Sequence, residues 1–219
     1  ERILFMNKTG WIIFSAVVVL FLGGLIALNK MNQANLPQSD GSNNVYGNVE
    51  SKVTLTEFID FQCEACYAYY PTVKELKEKY KDTVKFEVKN FPISSGHQFA
   101  RMAAAYGEAA AKQGKFWEMH DKIFEGQKTW ERGGADTYFK QYAEDIGLDM
   151  AKLDTDVQDQ MTTATSNADL KLAKELGVNA TPTFFLNGKK VEQPENSVEA
   201  FSKLLDNALS EAGSGDTQN

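Results

Sequence analysis

The chain has 219 residues, 42% of them hydrophobic, with 23 Lys and Arg against 30 Asp and Glu and a formal charge of −7. That acidity excludes the basic face by which a nucleic-acid binder meets phosphates, so no nucleic-acid partner is expected. Two cysteines exclude a disulfide-dense scaffold and any four-cysteine zinc or iron–sulfur site. The length suits one domain with something added.

Residues 1–10 read as a cytoplasmic head. Trp11 to Leu28, WIIFSAVVVLFLGGLIAL, carries no charge and makes about 27 Å of helix, which predicts a transmembrane anchor over 11–28. Trp11 falls where an interfacial ring is favoured. A buried core helix is the weaker reading, because it needs cover on every side. A cleaved signal peptide competes, but the run is long for a signal core and no small-x-small site follows it. Arg2 and Lys8 before the span, with Lys30 after it, predict a single-pass protein of the cell membrane with its N-terminus in the cytoplasm. Everything beyond about residue 30 is then extracytoplasmic. Residues 29–50 are rich in Asn and Gly and read as a flexible linker, and 211–219 as a disordered tail.

Between these lies the folded part. Lys52 to Phe61, KVTLTEFIDF, predicts a strand buried on both faces, with Glu57 inside it. Cys63-Glu64-Ala65-Cys66 follows, and Val73, Leu76 and Tyr80 continue at helical spacing. Val84 to Asn90 alternates as a strand. Strand, helix, strand opens an α/β sheet over 51–93. From His97 to Gly177 the pattern is helical. One stripe joins Phe99, Met102, Ala103, Tyr106 and Ala110, closed by Gly114. Phe116, Met119, Ile123 and Phe124 suggest a second helix, and Tyr138, Phe139, Tyr142 and Ile146 a third. Val157, Met161, Ala164, Ala168 and Leu172 line a longer one stopped by Gly177. This is an all-helical domain inserted over 94–170. The sheet resumes over 171–210 with Thr183 to Leu186, an Asn187-Gly188 hairpin turn, a return strand at 189–192 and a helix over 197–209.

Two cysteines separated by two residues at the start of a helix can close a disulfide and exchange it. Unpaired N–H groups and the positive helix end stabilise a thiolate on Cys63. Cys66, one turn on, resolves the mixed disulfide that Cys63 forms. Three other readings stand beside this one. Half a zinc site would need His97 and His120, at a spacing that fits no compact finger. An inert disulfide across four residues would close almost no loop, and a pair of plain core cysteines would lie along one apolar face rather than at a strand-to-helix junction. Glu57, six residues before Cys63, is costly to bury without a use and reads as a proton relay to Cys66, or else as a partner of a lysine such as Lys85. Thr181-Pro182 stands before the TFFL strand, where proline cannot donate to a ladder. His97 faces either the active loop or solvent. His120 reads as packed or capping, and Trp117 and Trp130 as core or domain-interface aromatics.

The stretches EFIDFQCEAC at 57–66, GKFWEMHD at 114–121 and GVNATPTFF at 177–185 resemble those of the DsbA-like thiol:disulfide oxidoreductases of the thioredoxin superfamily. The likeness covers roughly residues 45–210. It implies a thioredoxin-like fold with an inserted all-helical domain, Cys63 as nucleophile, a cis Pro182 facing it, and Thr181 pairing with a substrate backbone. It also implies a redox-active Cys63–Cys66 disulfide without other cofactor or metal. The implied partners are unfolded or partly folded exported proteins with free cysteines, and a membrane or small-molecule reoxidant. A monomer is expected. Strong oxidants of the family often carry Pro-His between the cysteines, where this chain has Glu64-Ala65. The acidic Glu64 is expected to disfavour the Cys63 thiolate. The resulting expectation is a membrane-anchored dithiol oxidase forming disulfides in exported proteins. The alternatives are a reductase or isomerase fed electrons from the membrane, and a peptide-binding or chaperone module with a non-catalytic pair.

Overall fold

A computed structural model describes residues 8–34, 37–93, 95–192 and 194–214. The chain divides into two compact units, Glu1–Pro37 and Gln38–Asn219. In the first, helix α1 spans Lys8–Ala34. Among the described residues, no helix is long and apolar enough to cross a membrane. The expected transmembrane helix is therefore corrected. The bilayer contact through 11–28, the single-pass topology and the extracytoplasmic placement all rested on that span and fall with it. Arg2 and the head at 1–7 lie outside the described residues, as do the side chains of Lys8 and Lys30.

The second unit is built on strands β1 (Asn44–Gly47), β2 (Thr54–Ile59), β3 (Lys85–Asn90), β4 (Thr183–Leu186) and β5 (Lys189–Lys190), in the order β1-β3-β2-β4-β5. β2 and β3 run parallel, joined by helix α2 (Glu64–Tyr80), and the other pairings are antiparallel. Helices α3 (Ala100–Ala111), α4 (Phe116–Glu125), α5 (Gln127–Trp130), α6 (Ala135–Asp145), α7 (Met150–Val157) and α8 (Gln160–Glu175) lie between β3 and β4, and α9 (Val198–Ser214) ends the unit. The mixed α/β fold with inserted helices is the one the periodicities predicted.

The core explains where the site sits. Along one face of β2, Leu55 joins a cluster with Leu76, Phe86, Phe184 and Phe201, while Ile59 joins another with Cys66, Tyr106, Met119 and Trp130. Glu57 lies between them on that same face, because strand side chains alternate with period two. Phe58 points the other way and packs with Ala173, Val178 and Phe185. Burying such a phenylalanine contributes about 2 to 3 kcal/mol.

Several elements differ from the sequence pattern. Asn44–Gly47, inside the stretch read as a linker, is an edge strand paired with β3. Asn44 is buried because its amide donates to Glu108 Oε1 at 2.7 Å. The long helix predicted across 157–172 is broken at Asp159, whose side chain caps α8 by accepting from the Met161 N–H. α8 also turns an unexpected face inward. Thr162, Ser166, Asp169 and Ala173 are buried, whereas Met161 is exposed. Asp169 accepts from the Ser42 N–H at 2.9 Å and the Asn90 N–H at 2.8 Å, so hydrogen bonding rather than apolarity fixes the orientation. α9 continues through residues 211–214, which were assigned to the tail, and 215–219 lie outside the described residues.

Candidate active site

β2 ends at Ile59, and four residues later the chain enters α2 with Cys63 as its N-cap, in extended conformation at φ −73° and ψ 125°. Asp60 shapes the turn. Its carboxylate accepts the Gln62 N–H at 2.8 Å and the Ile93 N–H at 2.7 Å, and lies 2.7 Å from His97 Nδ1. The Asp60 N–H donates to Cys66 Sγ at 3.5 Å. His97 therefore meets the base of the active loop through Asp60. Sequence reasoning passed over Asp60. The signal was a second acid in an apolar run, three residues before Cys63.

Both thiols are free, with Cys63 half-buried and Cys66 buried. Their environments push them apart. Cys63 is lowered from 9.0 to about 5, first by hydrogen bonding from the Cys66 thiol. Burial opposes this, while the Thr181 hydroxyl and the Cys66 and Ala65 N–H groups add to it. Burial pushes the Cys66 thiol well above its ordinary value, and the neighbouring Cys63 and Glu57 add to the rise. The Thr181–Pro182 peptide is cis. Thr181 is buried, and its carbonyl accepts from Cys63 Sγ at 3.4 Å. A cleft of about 450 Å³ runs beside this loop, lined by Tyr69, Pro182, Phe184, Val191 and Pro194 among others.

Glu57 is 6% exposed, and burial raises its carboxyl from 4.5 to about 8. The charge that holds it down is Lys77 rather than Lys85. Lys77 reaches into the interior from α2, its ammonium 3.9 Å from the Trp117 ring centroid and 3.7 Å from Asp121 Oδ1. Burial in turn lowers the Lys77 pKa. His120 is packed among rings, with Nδ1 2.9 Å from Asp121 Oδ1, and burial lowers it to about 4.

Glu64 behaves differently from its sequence expectation. Its side chain is 83% exposed, 3.3 Å from Lys128 Nζ on α5, and it is not among the groups that move Cys63. Ala65 contributes its backbone N–H alone. Gln127, which the sequence did not single out, is fully buried and donates from Nε2 to the carbonyls of Phe61 at 2.8 Å and Cys63 at 3.1 Å. Among the described residues, no group of three or more His, Cys, Asp and Glu side chains is arranged to hold a metal. The redox centre is the cysteine pair.

Residues 39–207 match the family model described as Thioredoxin. A thioredoxin-like oxidoreductase from Silicibacter pomeroyi is 27% identical with a TM-score of 0.64, covering 75% of this chain and 90% of its own. BdbD from Bacillus subtilis is 22% identical with a TM-score of 0.65, covering 80% and 98%. Among curated proteins, the Na(+)/H(+) antiporter NhaA 3 of Salinispora tropica is 35% identical over 177 residues. That stretch is 81% of this chain and 26% of the antiporter, so the chain spans about a quarter of that relative's length.

Proposed function

Because the chain belongs to the thioredoxin family and carries the catalytic cysteine pair of a thiol:disulfide oxidoreductase, we propose that it oxidises protein dithiols. The observation that carries this reading is the opposed titration of the two sulfurs. A thiolate favoured at Cys63 stabilises the reduced pair and so makes the disulfide a better oxidant.

The steps follow from that asymmetry. A client thiolate attacks Cys63 Sγ, the Cys63–Cys66 bond breaks, and Cys66 leaves. Its high proton affinity calls for a proton, which Glu57 supplies. With its carboxyl at about 8, Glu57 is still protonated at neutral pH. The client's second thiolate then attacks the client sulfur of the mixed disulfide, and Cys63 departs as the stabilised thiolate. Two electrons have moved to the pair, and a two-electron acceptor resets it. The client backbone lies along Thr181 and Pro182, with its flanking side chains in the adjoining cleft.

The Cys63 value of about 5 falls between about 7 for thioredoxin and about 3.5 for the strongest oxidant of this class. The potential is accordingly expected between about −270 and −120 mV. Equilibration with glutathione measures it, alongside oxidation of a dithiol peptide by the disulfide form. A potential at or below thioredoxin's, with no peptide oxidation, would remove the oxidant reading.

A further inference from the structure

The start of α3 meets the redox loop where the Phe99 N–H donates to Gln62, and α5, a single turn without any periodic signal, reaches the backbone of the loop on either side of it. We infer that Gln127 is a positioning residue for the thiol chemistry, and that α5 is the clamp by which the helical block holds the Cys63 loop in its reactive form. The inference rests on the thiol-exchange reading of Cys63.

Gln127 has no exposed surface, and its Nε2 reaches the carbonyls of Phe61 and Cys63. Those carbonyls flank the turn that leaves β2. The Cys63 carbonyl also accepts the Tyr67 N–H at 3.0 Å, so Gln127 gives a second donor to the first carbonyl of α2. The same turn aims the Ala65 and Cys66 N–H groups at the Cys63 sulfur. The Cys63 carbonyl shares its peptide plane with the Glu64 N–H, the peptide just before the Ala65 N–H, so holding that carbonyl holds the start of the turn that presents the Ala65 and Cys66 N–H groups.

The side chain is otherwise an awkward choice. Its Oε1 is buried without a hydrogen-bond partner. A buried amide using only half its capacity is disfavoured against an apolar residue of similar size. What an apolar residue would lack is the pair of donations to the loop.

The surroundings hold α5 in place. Gly126, which enters it, has no room for a side chain because the Tyr142 phenol occupies that space. Trp130, at its end, is fully buried, donates from Nε1 to the Ile123 carbonyl at 2.7 Å, and meets Phe99 and Phe139 edge-on. From the same turn Lys128 reaches Glu64 on the outer side of the loop. The loop is thus gripped from the interior by Gln127 and from solvent by Lys128.

The test replaces Gln127 with methionine, which keeps the bulk and removes both donors. Cys63 is titrated by thiolate absorbance and by its rate of alkylation, with Tm followed in parallel. The Cys63 pKa is expected to rise by about half a unit to one unit, the scale of one lost hydrogen bond. Gly126→Ala, which displaces α5 with Gln127 intact, is expected to shift the titration the same way. Should either variant fold poorly, Gln127→Asn retains the amide one methylene short and is expected to give a smaller rise. A Gln127→Met protein with lowered Tm but the wild-type titration overturns the inference and leaves Gln127 as packing. The titration needs no turnover. A wild-type protein unable to oxidise a dithiol peptide would remove the proposed function without touching this comparison.

Discussion

Glu57 on β2 and Glu108 on α3 are both buried glutamates, and burial raises the carboxyl pKa of each. Their surroundings then diverge. Glu108 Oε1 accepts from the Asn44 amide at 2.7 Å and the Asn90 amide at 2.6 Å, and both contacts act against the rise. Asn90 also donates to Asp169, which holds the Ser42 backbone, and Lys89 reaches the Ser42 carbonyl. That network joins β1, β3, α3 and α8 and keeps its carboxylates supplied with donors. Against its burial Glu57 has the charge of Lys77. A carboxylate saturated with donors is scaffold. One left to burial titrates near neutrality and is free to move a proton.

The largest effect should separate the two regions outright. Asp169→Ala removes an acceptor from the N–H groups of Ser42 and Asn90 and from the Asn90 amide. Each orphaned buried donor costs about 1 to 3 kcal/mol, so a loss of about 4 kcal/mol is expected. Denaturant unfolding measures it, and the exchange rate per folded molecule should not change. A comparable loss of rate would mean that the two regions are not independent.

Next comes the pH dependence of stability. Glu57 is raised from 4.5 to about 8 in the folded protein. Its contribution is therefore complete below 4.5 and is lost as pH rises through about 8. Cys63 runs the opposite way: its contribution is present above 9.0 and lost as pH falls through about 5. A Cys63→Ser background removes the opposing group. There stability should fall by about 1.4 kcal/mol per pH unit between 6.5 and 8, above the range in which the lowered His120 gives the opposite slope, and the fall should vanish once Glu57→Gln is added. A slope that survives Glu57→Gln belongs to another group.

In the wild-type background, Glu57→Gln should slow the step in which Cys66 leaves by about a hundredfold, the low end of the usual range of general acid–base effects. It should also flatten that step's pH profile near 8. Stopped-flow mixing of the disulfide form with a dithiol peptide reads both, and an unchanged profile would assign Glu57 to packing. The smallest effect concerns Lys128→Ala, which frees the exposed Glu64. An exposed pair contributes about 0 to 1 kcal/mol. Cys63 titration should therefore move by less than about half a unit, and a larger rise would restore the charge effect expected of Glu64.

The same contrast explains what was legible in the sequence. The CxxC pair, Glu57 and Thr181-Pro182 stand out as motifs or as a charge in an apolar run, and the fold brings them to one end of the sheet. Residues acting through hydrogen bonds were hidden. The apolar positions of α8 led to Met161, Ala164 and Ala168, yet Thr162, Ser166 and Asp169 face inward because they find partners. β1 offers only Val45 and Tyr46 between Asn44 and Gly47, too short and polar for an alternation to register. α5 is one turn, Gln-Lys-Thr-Trp, and no period can be read from it. Hydrophobic patterning reports what leaves water, whereas these elements are placed by polar groups that leave water in pairs.

The hydrogen bond from Cys63 to Thr181 spans 118 positions of the chain. Strand β4, which follows Thr181 directly, pairs with β2 only after seven intervening helices have been accommodated. Closing so long a loop is entropically only modestly worse than closing a short one, about 0.6 kcal/mol for each doubling. It is slow, however, because distant segments must meet before their contacts reward the encounter. On an emerging chain, β2, α2 and β3 are complete long before β4 exists. The cysteine pair is therefore made early, as part of a local strand–helix–strand unit, and the Thr181–Pro182 wall that faces Cys63 is supplied last. Under the proposed function, selectivity for a client backbone would arrive only with the final closure of the sheet.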